Sequence, residues 1–185
     1  VVVIGGGDTA MDCVRTAIRQ NAKSVKCLYR RDKENMPGSL REVNNAEEEG
    51  VEFIWLSNPK QFIGSEKISS MLVEKIRLGN PDSSGRKKPE SIPGSNFEIK
   101  TDLAIKALGF DPEDLPKLFN FPQLLVSQWG TIKINTKSME TNIPGIFAAG
   151  DIVRGASLVV WAIKDGRDVA SSIHKYLEFK KAKKI

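Results

Sequence analysis

Apolar runs and amphipathic stretches alternate along this chain from its first residue. Val1-Val2-Val3-Ile4 is an unbroken β-branched run, the pattern of a strand buried on both faces. Met11, Val14 and Ile18 then recur at helical spacing and predict a helix over about Thr9–Gln20. Ser24–Tyr29 reads as a second strand. Ser39 with Glu42 has the form of a capping box for a helix over Leu40–Glu49, which Gly50 stops. Val51–Leu56, Ile68–Leu78 and Phe97–Leu108 read as strands, with Asp102–Lys106 strand-like within the last. Gly79–Ser95 is rich in Gly, Pro, Ser and Lys and reads as an exposed loop. Strands without intervening helices suggest an antiparallel meander laid on a parallel sheet. From Asp111 the pattern changes: Asp111-Pro112 and Leu115-Pro116 interrupt it, and Gly130–Ile134 is a short strand. A last helix over Ser157–Lys180 carries Ile163, Ala170, Ile173 and Leu177 on one face. Gly166 in its middle costs about 1 kcal/mol relative to Ala, which either a closely approaching ring or simple helix packing would explain.

The first strand runs straight into Gly5-Gly6-Gly7-Asp8-Thr9-Ala10. Read as G-x-G-x-x-A between a strand and a helix, this is the phosphate-cradling entry of a dinucleotide-binding βαβ unit. Gly5 allows the tight turn, Gly7 leaves room for a pyrophosphate against bare backbone, and Ala10 lets the helix pack close to the sheet. The helix presents its free N–H groups and positive dipole end to the phosphates. A glycine-rich turn with no ligand is the alternative.

The end of the second strand selects among dinucleotides. NAD-binding units place an acidic residue there, about 20 residues past the glycines, for the ribose 2′-hydroxyl. This chain has Arg30-Arg31. Two guanidiniums suit a 2′-phosphate that a carboxylate would repel, so the pattern favours NADP(H). A solvated basic turn, with Asp32 beside it, is the other reading.

Toward the other end, Pro144-Gly145 leads into the apolar Ile146-Phe147-Ala148-Ala149, which ends in Gly150-Asp151 and is followed by Gly155-Ala156-Ser157. This segment resembles the C-terminal FAD motif of two-domain pyridine-nucleotide flavoprotein reductases. The resemblance implies that Asp151 accepts a hydrogen bond from a flavin ribityl hydroxyl. It also implies that the following helix, at Ser157 and Leu158, points its dipole at the flavin. Ala107-Leu108-Gly109-Phe110 resembles the crossover between the two domains, with Gly109 beside bound nucleotide.

The whole chain resembles the family of small (β) subunits of NADPH-dependent glutamate synthases. The residues that carry the likeness begin with Gly5–Cys13, Tyr29-Arg30-Arg31 and Asn35-Met36-Pro37-Gly38. They continue with Ala107–Pro112, Ala149–Gly155, Trp161-Ala162-Ile163 and Asp165-Gly166-Arg167. The resemblance implies an α/β fold: a Rossmann-like NADPH-binding domain with a β-meander over residues 1–110, and the C-terminal part of an FAD-binding domain over 111–185. It implies that NADPH passes a hydride to FAD and that electrons leave through iron–sulfur clusters to FMN on a large (α) subunit. There, glutamine and 2-oxoglutarate become two glutamates. The family's first FAD glycine motif and its cysteine-rich cluster segment would precede Val1, so the expected reading is a chain lacking that half, with weak or no FAD binding by itself. The reductase module of dihydropyrimidine dehydrogenase shares the layout and is the runner-up. A non-catalytic NADP-binding module is a third reading.

Composition adds bounds. The 185 residues are 40% hydrophobic with a net charge of +5, enough for a sizeable core and too modest a charge to suggest nucleic acid or a membrane surface as partner. Lys180, Lys181, Lys183 and Lys184 read as a solvated helix end. Cys13 and Cys27 fit no cluster, zinc or C-x-x-C pattern, which points to reduced thiols, a cytoplasmic setting and no thioredoxin-reductase-type dithiol relay. His174 reads as surface or packing, and Glu47-Glu48-Glu49 as a solvated helix end. Hydride transfer between nicotinamide and flavin needs contact geometry and a dry site, and no catalytic acid or base is expected.

Overall fold

One short parallel sheet has a core on each of its faces, because its central strand Val2–Ile4 is apolar at every position. The structure, a computed structural model, describes residues 1–81, 85 and 87–182. The chain divides into two units, Val1–Leu108 and Gly109–Ile185.

The first unit runs β1 (Val2–Ile4), α1 (Asp8–Arg19), β2 (Lys26–Leu28), α2 (Leu40–Glu48), β3 (Glu52–Ile54), β4 (Ser57–Gly64), β5 (Ile68–Pro81), β6 (Lys87–Ser91), β7 (Phe97–Lys100) and β8 (Ala104–Lys106). The parallel sheet has the order β3-β2-β1-β8, with Val3 opposite Cys27 and Ile105. Strand alternation splits its side chains. Val3 and Cys27 pack with Ala10, Met11 and Val14 of α1 and with Val43 and Ala46 of α2. Val2, Ile4 and Leu28 face the other way and pack with Met71, Val73 and Ile99 of the antiparallel strands. In that second sheet β5 pairs with β4, β6 and β7. The expected α/β class, a parallel sheet with an antiparallel meander, is the observed one.

Several local expectations need correction. Ser39 makes no side-chain capping bond to α2. Glu42 pairs with Arg15 of α1, and the Ser39 N–H donates to Asp8 Oδ1 at 2.8 Å, so tertiary charge partners displace the local box. The run Val51–Leu56 ends at Ile54, turns at Leu56 with φ of 50°, and continues as β4, which Pro59 and its polar neighbours hide in the sequence. The expected loop Gly79–Ser95 is mostly hairpin: Ile76 pairs with Ser91 and Leu78 with Pro89, while residues 82–84 and 86 lie outside the described residues. The single strand Phe97–Leu108 is two. The Thr101 hydroxyl donates to the Leu103 carbonyl at 2.8 Å, and this local turn carries the chain from the antiparallel sheet into the parallel one.

The second unit contains α3 (Leu115–Leu118), α4 (Asp151–Arg154) and α5 (Val159–Ala182). The strand expected over Gly130–Ile134 and the apolar run Ile146–Ala149 form only isolated bridges: Val126 with Ile132, Ile134 with Thr141, and Glu140 with Phe147. Helix α5 packs through buried Asp165 and half-buried Val169, Ser172 and Tyr176. The Tyr176 ring meets Phe147 edge-on at 5.5 Å. The apolar face of the sequence (Ile163, Ala170, Ile173 and Leu177) is exposed. Space around Gly166 is open. Lys180 and Lys181 lie exposed in the last turn of α5, and Lys183 and Lys184 lie outside the described residues. Among the described residues no helix is long and apolar enough to cross a membrane.

Candidate functional site

Each glycine of the first turn has a different physical reason. Gly5 donates its N–H to the Leu28 carbonyl at 3.1 Å. With φ of 150°, it lies so close to β8 that a Cβ would sit 2.3 Å from the Ala107 carbonyl oxygen. Gly6 lies under the Tyr29 ring, where a Cβ would come within 2.4 Å, and its carbonyl accepts the Gly38 N–H at 2.9 Å. Gly7 is the N-cap of α1 in extended conformation, and nothing lies within 4 Å of where its Cβ would be. Ala10 is fully buried and donates its N–H to the Gly7 carbonyl at 2.9 Å.

Beyond Gly7 the helix opens onto solvent. Asp8 and Thr9 are exposed, and among the described residues their backbone N–H groups have no acceptor. These are the orphan donors of a helix N-terminus, next to an open surface without a side chain. The Asp8 carboxylate is tied to the start of α2 through Ser39, which fixes the two helix N-termini to each other.

The Arg30-Arg31 turn is pinned from several sides. The Tyr29 carbonyl accepts the Ser57 N–H at 3.1 Å, and the Arg31 carbonyl accepts the Leu56 N–H at 3.0 Å. Arg30 is exposed. Arg31 is 7% exposed, and its Nε donates to the Lys87 carbonyl at 3.0 Å. Asp32 Oδ1 accepts from Asn35 N at 2.9 Å and from Asn35 Nδ2 at 2.5 Å. The Asn35 side-chain bond holds the Asp32 carboxyl below its usual range against a partial opposing effect of burial, and the Lys87 charge adds to the lowering. Sequence reasoning missed Lys87, which lies in the stretch read as a loop; Lys87-Lys88-Pro89-Glu90-Ser91 has no apolar alternation that would have marked a strand.

In the second unit, Asp151 is exposed at the start of α4. Gly150 precedes it with φ of 76°, a backbone setting that a Cβ would strain. Ser157 and Leu158 are exposed just before α5, and Gly109 has φ of 88° with open space around it. A contact not anticipated from the sequence fixes this segment: Arg154 Nε and Nη2 donate to Asp165 Oδ2 and Oδ1 at 2.7 and 2.5 Å, and the guanidinium lies 5.2 Å from the Trp161 ring centroid. The Arg154 bond draws the Asp165 carboxyl below its usual range, against a partial opposing effect of burial.

The pyridine nucleotide-disulphide oxidoreductase family matches residues 1–166. The chain belongs to that family. It is 65% identical to a putative glutamate synthase [NADPH] small chain of Cereibacter sphaeroides, over 96% of this chain and 43% of that protein. It is 61% identical to the glutamate synthase [NADPH] small chain of Azospirillum brasilense, over 97% of this chain and 37% of that protein. The chain thus spans about two fifths of the length of these curated relatives. Among solved structures it resembles Mycobacterium tuberculosis FprA in complex with NADPH, with a TM-score of 0.76 and 16% identity over 98% of this chain and 53% of that one. At that identity the likeness is one of fold.

Within this pyridine nucleotide-disulphide oxidoreductase chain the two cysteines stand apart in role. Cys27 is fully buried, its Sγ lies 3.4 Å from the Gly5 carbonyl, and burial pushes its thiol up to about 12. It packs under the glycine turn as an inert group. Cys13 is half-buried on α1. His174 is exposed. Glu47 pairs with Lys33, and Glu49 with Arg15 and Arg19, while Glu48 is exposed.

Proposed function

We propose that this chain is the NADPH-oxidising part of a glutamate synthase small subunit, with residues 1–110 binding NADPH and residues 111–185 forming the C-terminal part of an FAD site. The single observation that supports it most is the 61% identity to the glutamate synthase [NADPH] small chain of Azospirillum brasilense along nearly all of this chain. The geometry suits the cofactors: the gap at Gly7 is one that a Cβ would fill, and the orphan N–H groups of Asp8 and Thr9 border it.

In this reading Gly5 and Gly6 hold the turn, Gly7, Asp8 and Thr9 give backbone donors to the pyrophosphate, and Ala10 sets the helix close. Arg30 and Arg31 take the 2′-phosphate. Gly109 leaves room at the crossover. Gly150 and Asp151 bind the flavin side chain, and Ser157 and Leu158 bring the start of α5 toward the ring. When bound, NADPH supplies a hydride and FAD accepts it. No side chain of this chain has to move a proton, and its residues act by binding, orienting and excluding water. Reducing equivalents then pass, by way of iron–sulfur clusters ligated outside this chain, to the FMN-bearing large subunit.

The test joins this chain to the remaining portion of the Azospirillum brasilense small chain, of which it matches 37%, adds a glutamate synthase large subunit and follows NADPH absorbance. The reading expects oxidation that depends on both glutamine and 2-oxoglutarate. NADPH oxidation that ignores both substrates but responds to another acceptor would move the chain to a related reductase module, such as that of dihydropyrimidine dehydrogenase.

A further inference from the structure

The hairpin formed by β5 and β6 reaches the one place in the first unit where the choice between dinucleotides is expected to be made. Lys87 opens β6 and is paired with Pro81 across the hairpin. Its carbonyl accepts the Arg31 Nε at 3.0 Å, a contact between residues far apart in sequence. This bond holds one edge of the Arg31 guanidinium, which is almost buried, and anchors the Lys87 backbone at the end of β2. The Lys87 side chain itself is exposed. The nearest carboxylate of the turn, Asp32, is already engaged by Asn35 through the same oxygen that accepts its N–H. The Asn35 side-chain bond is the main cause that lowers the Asp32 carboxyl, and the Lys87 charge adds a smaller part. Lys33, the other cation of the turn, is paired with Glu47. Among the described residues, Arg30 and Lys87 have no ion-pair partner.

We propose that Lys87 is a specificity residue for the 2′-phosphate of NADPH, delivered by the hairpin to the site of Arg30 and Arg31. This inference rests on the assignment of those two arginines as the 2′-phosphate site. Physically, a third cation beside a phosphate adds attraction without demanding the planar fork that Arg31 supplies. An exposed ammonium in high dielectric gives a modest, salt-screened gain. The hairpin thereby acts as an arm whose backbone orients one cation, Arg31, and whose side chain is another.

Calorimetric titration with 2′,5′-ADP and 5′-AMP tests this, because the two probes differ only at the 2′-phosphate. The unmutated chain is expected to prefer 2′,5′-ADP. Lys87→Gln is expected to weaken 2′,5′-ADP about 3–10-fold at low salt and leave 5′-AMP unchanged, with Lys87→Arg retaining the preference. Lys88→Gln, next on the same strand, is expected to change neither. Unchanged 2′,5′-ADP affinity in Lys87→Gln, with Arg30→Ala still losing it, would overturn the role of Lys87 and leave the arginine site standing. An equal loss in Lys88→Gln would also overturn it, reducing the effect to a diffuse field. No preference for 2′,5′-ADP in the unmutated chain would remove the arginine site and the Lys87 proposal together.

Discussion

The two units of this chain build order in different ways. The first closes an apolar core on each face of its parallel sheet, and Val3, Met11, Val14, Val43 and Met71 are all fully buried. In the second, Leu124, Ile132 and Met139 are the buried hydrophobic side chains among the described residues. Its helix α5 leaves Val160, Ile163 and Leu177 more than half or half exposed. Buried apolar area organises the first unit. Local turns and one charge-assisted pair, Arg154 with Asp165, organise the second. The glycine turn therefore sits on a rigid base, whereas the segment around Asp151 depends on a few polar contacts.

This contrast can be broken or sharpened by substitution. The largest effect expected is at the core of the first unit: Met11→Ala should lower its stability by about 2–5 kcal/mol, read by urea unfolding. A loss below 1 kcal/mol would mean that the core is far looser than the burial of Met11 implies. Gly7→Ala comes next and separates folding from binding. Its Cβ meets nothing in the chain, so unfolding should shift by no more than the roughly 0.5–1 kcal/mol that Ala costs against Gly at an N-cap, while a crowded pyrophosphate should lose about 1–3 kcal/mol of NADPH affinity. A larger unfolding shift without a binding loss would show Gly7 to be a structural position.

The polar anchor of the second unit should respond to acid. The folded pKa of Asp165 lies below its unfolded value. Its contribution is thus complete above the unfolded carboxylate value of about 3.9 and is lost as pH falls through the lowered value. Amide protection in Gly150–Gly155, taken relative to the intrinsic exchange rate at each pH, should fall across that acid range, and Asp165→Asn should flatten the response. The smallest effect is expected on the exposed face of α5, where Ile163→Ala should stay within about 0.5 kcal/mol. A loss like that of Met11→Ala would show that this face is packed in solution.

How much was legible follows the same division. As local structure, the strand in Val1–Ile4, the turn at Gly5-Gly6-Gly7 and the helix of Met11, Val14 and Ile18 were legible because one short stretch contained the whole pattern. The capping box failed because Glu42 has a stronger partner on α1, a choice that is not local. The contact of Tyr29 with Gly6 and that of Arg31 with Lys87 were invisible because each joins strands whose proximity depends on the completed sheets. The packed face of α5 was not legible for a simpler reason. Periodicity marks an apolar stripe, but the helix uses the face of Asp165, Val169, Ser172 and Tyr176, where an ion pair and an aromatic contact fix the packing.

The central claim is that the end of β2 reads a 2′-phosphate. Its most direct test is the ratio of NADH to NADPH dissociation constants for this chain, measured by titration in one buffer. With a charge-assisted phosphate contact of about 1.5–3 kcal/mol, NADPH should bind roughly 10–150-fold tighter, and Arg30→Ala should erase most of that gap. Equal affinities for NADPH and NADH in the unmutated chain would contradict the account.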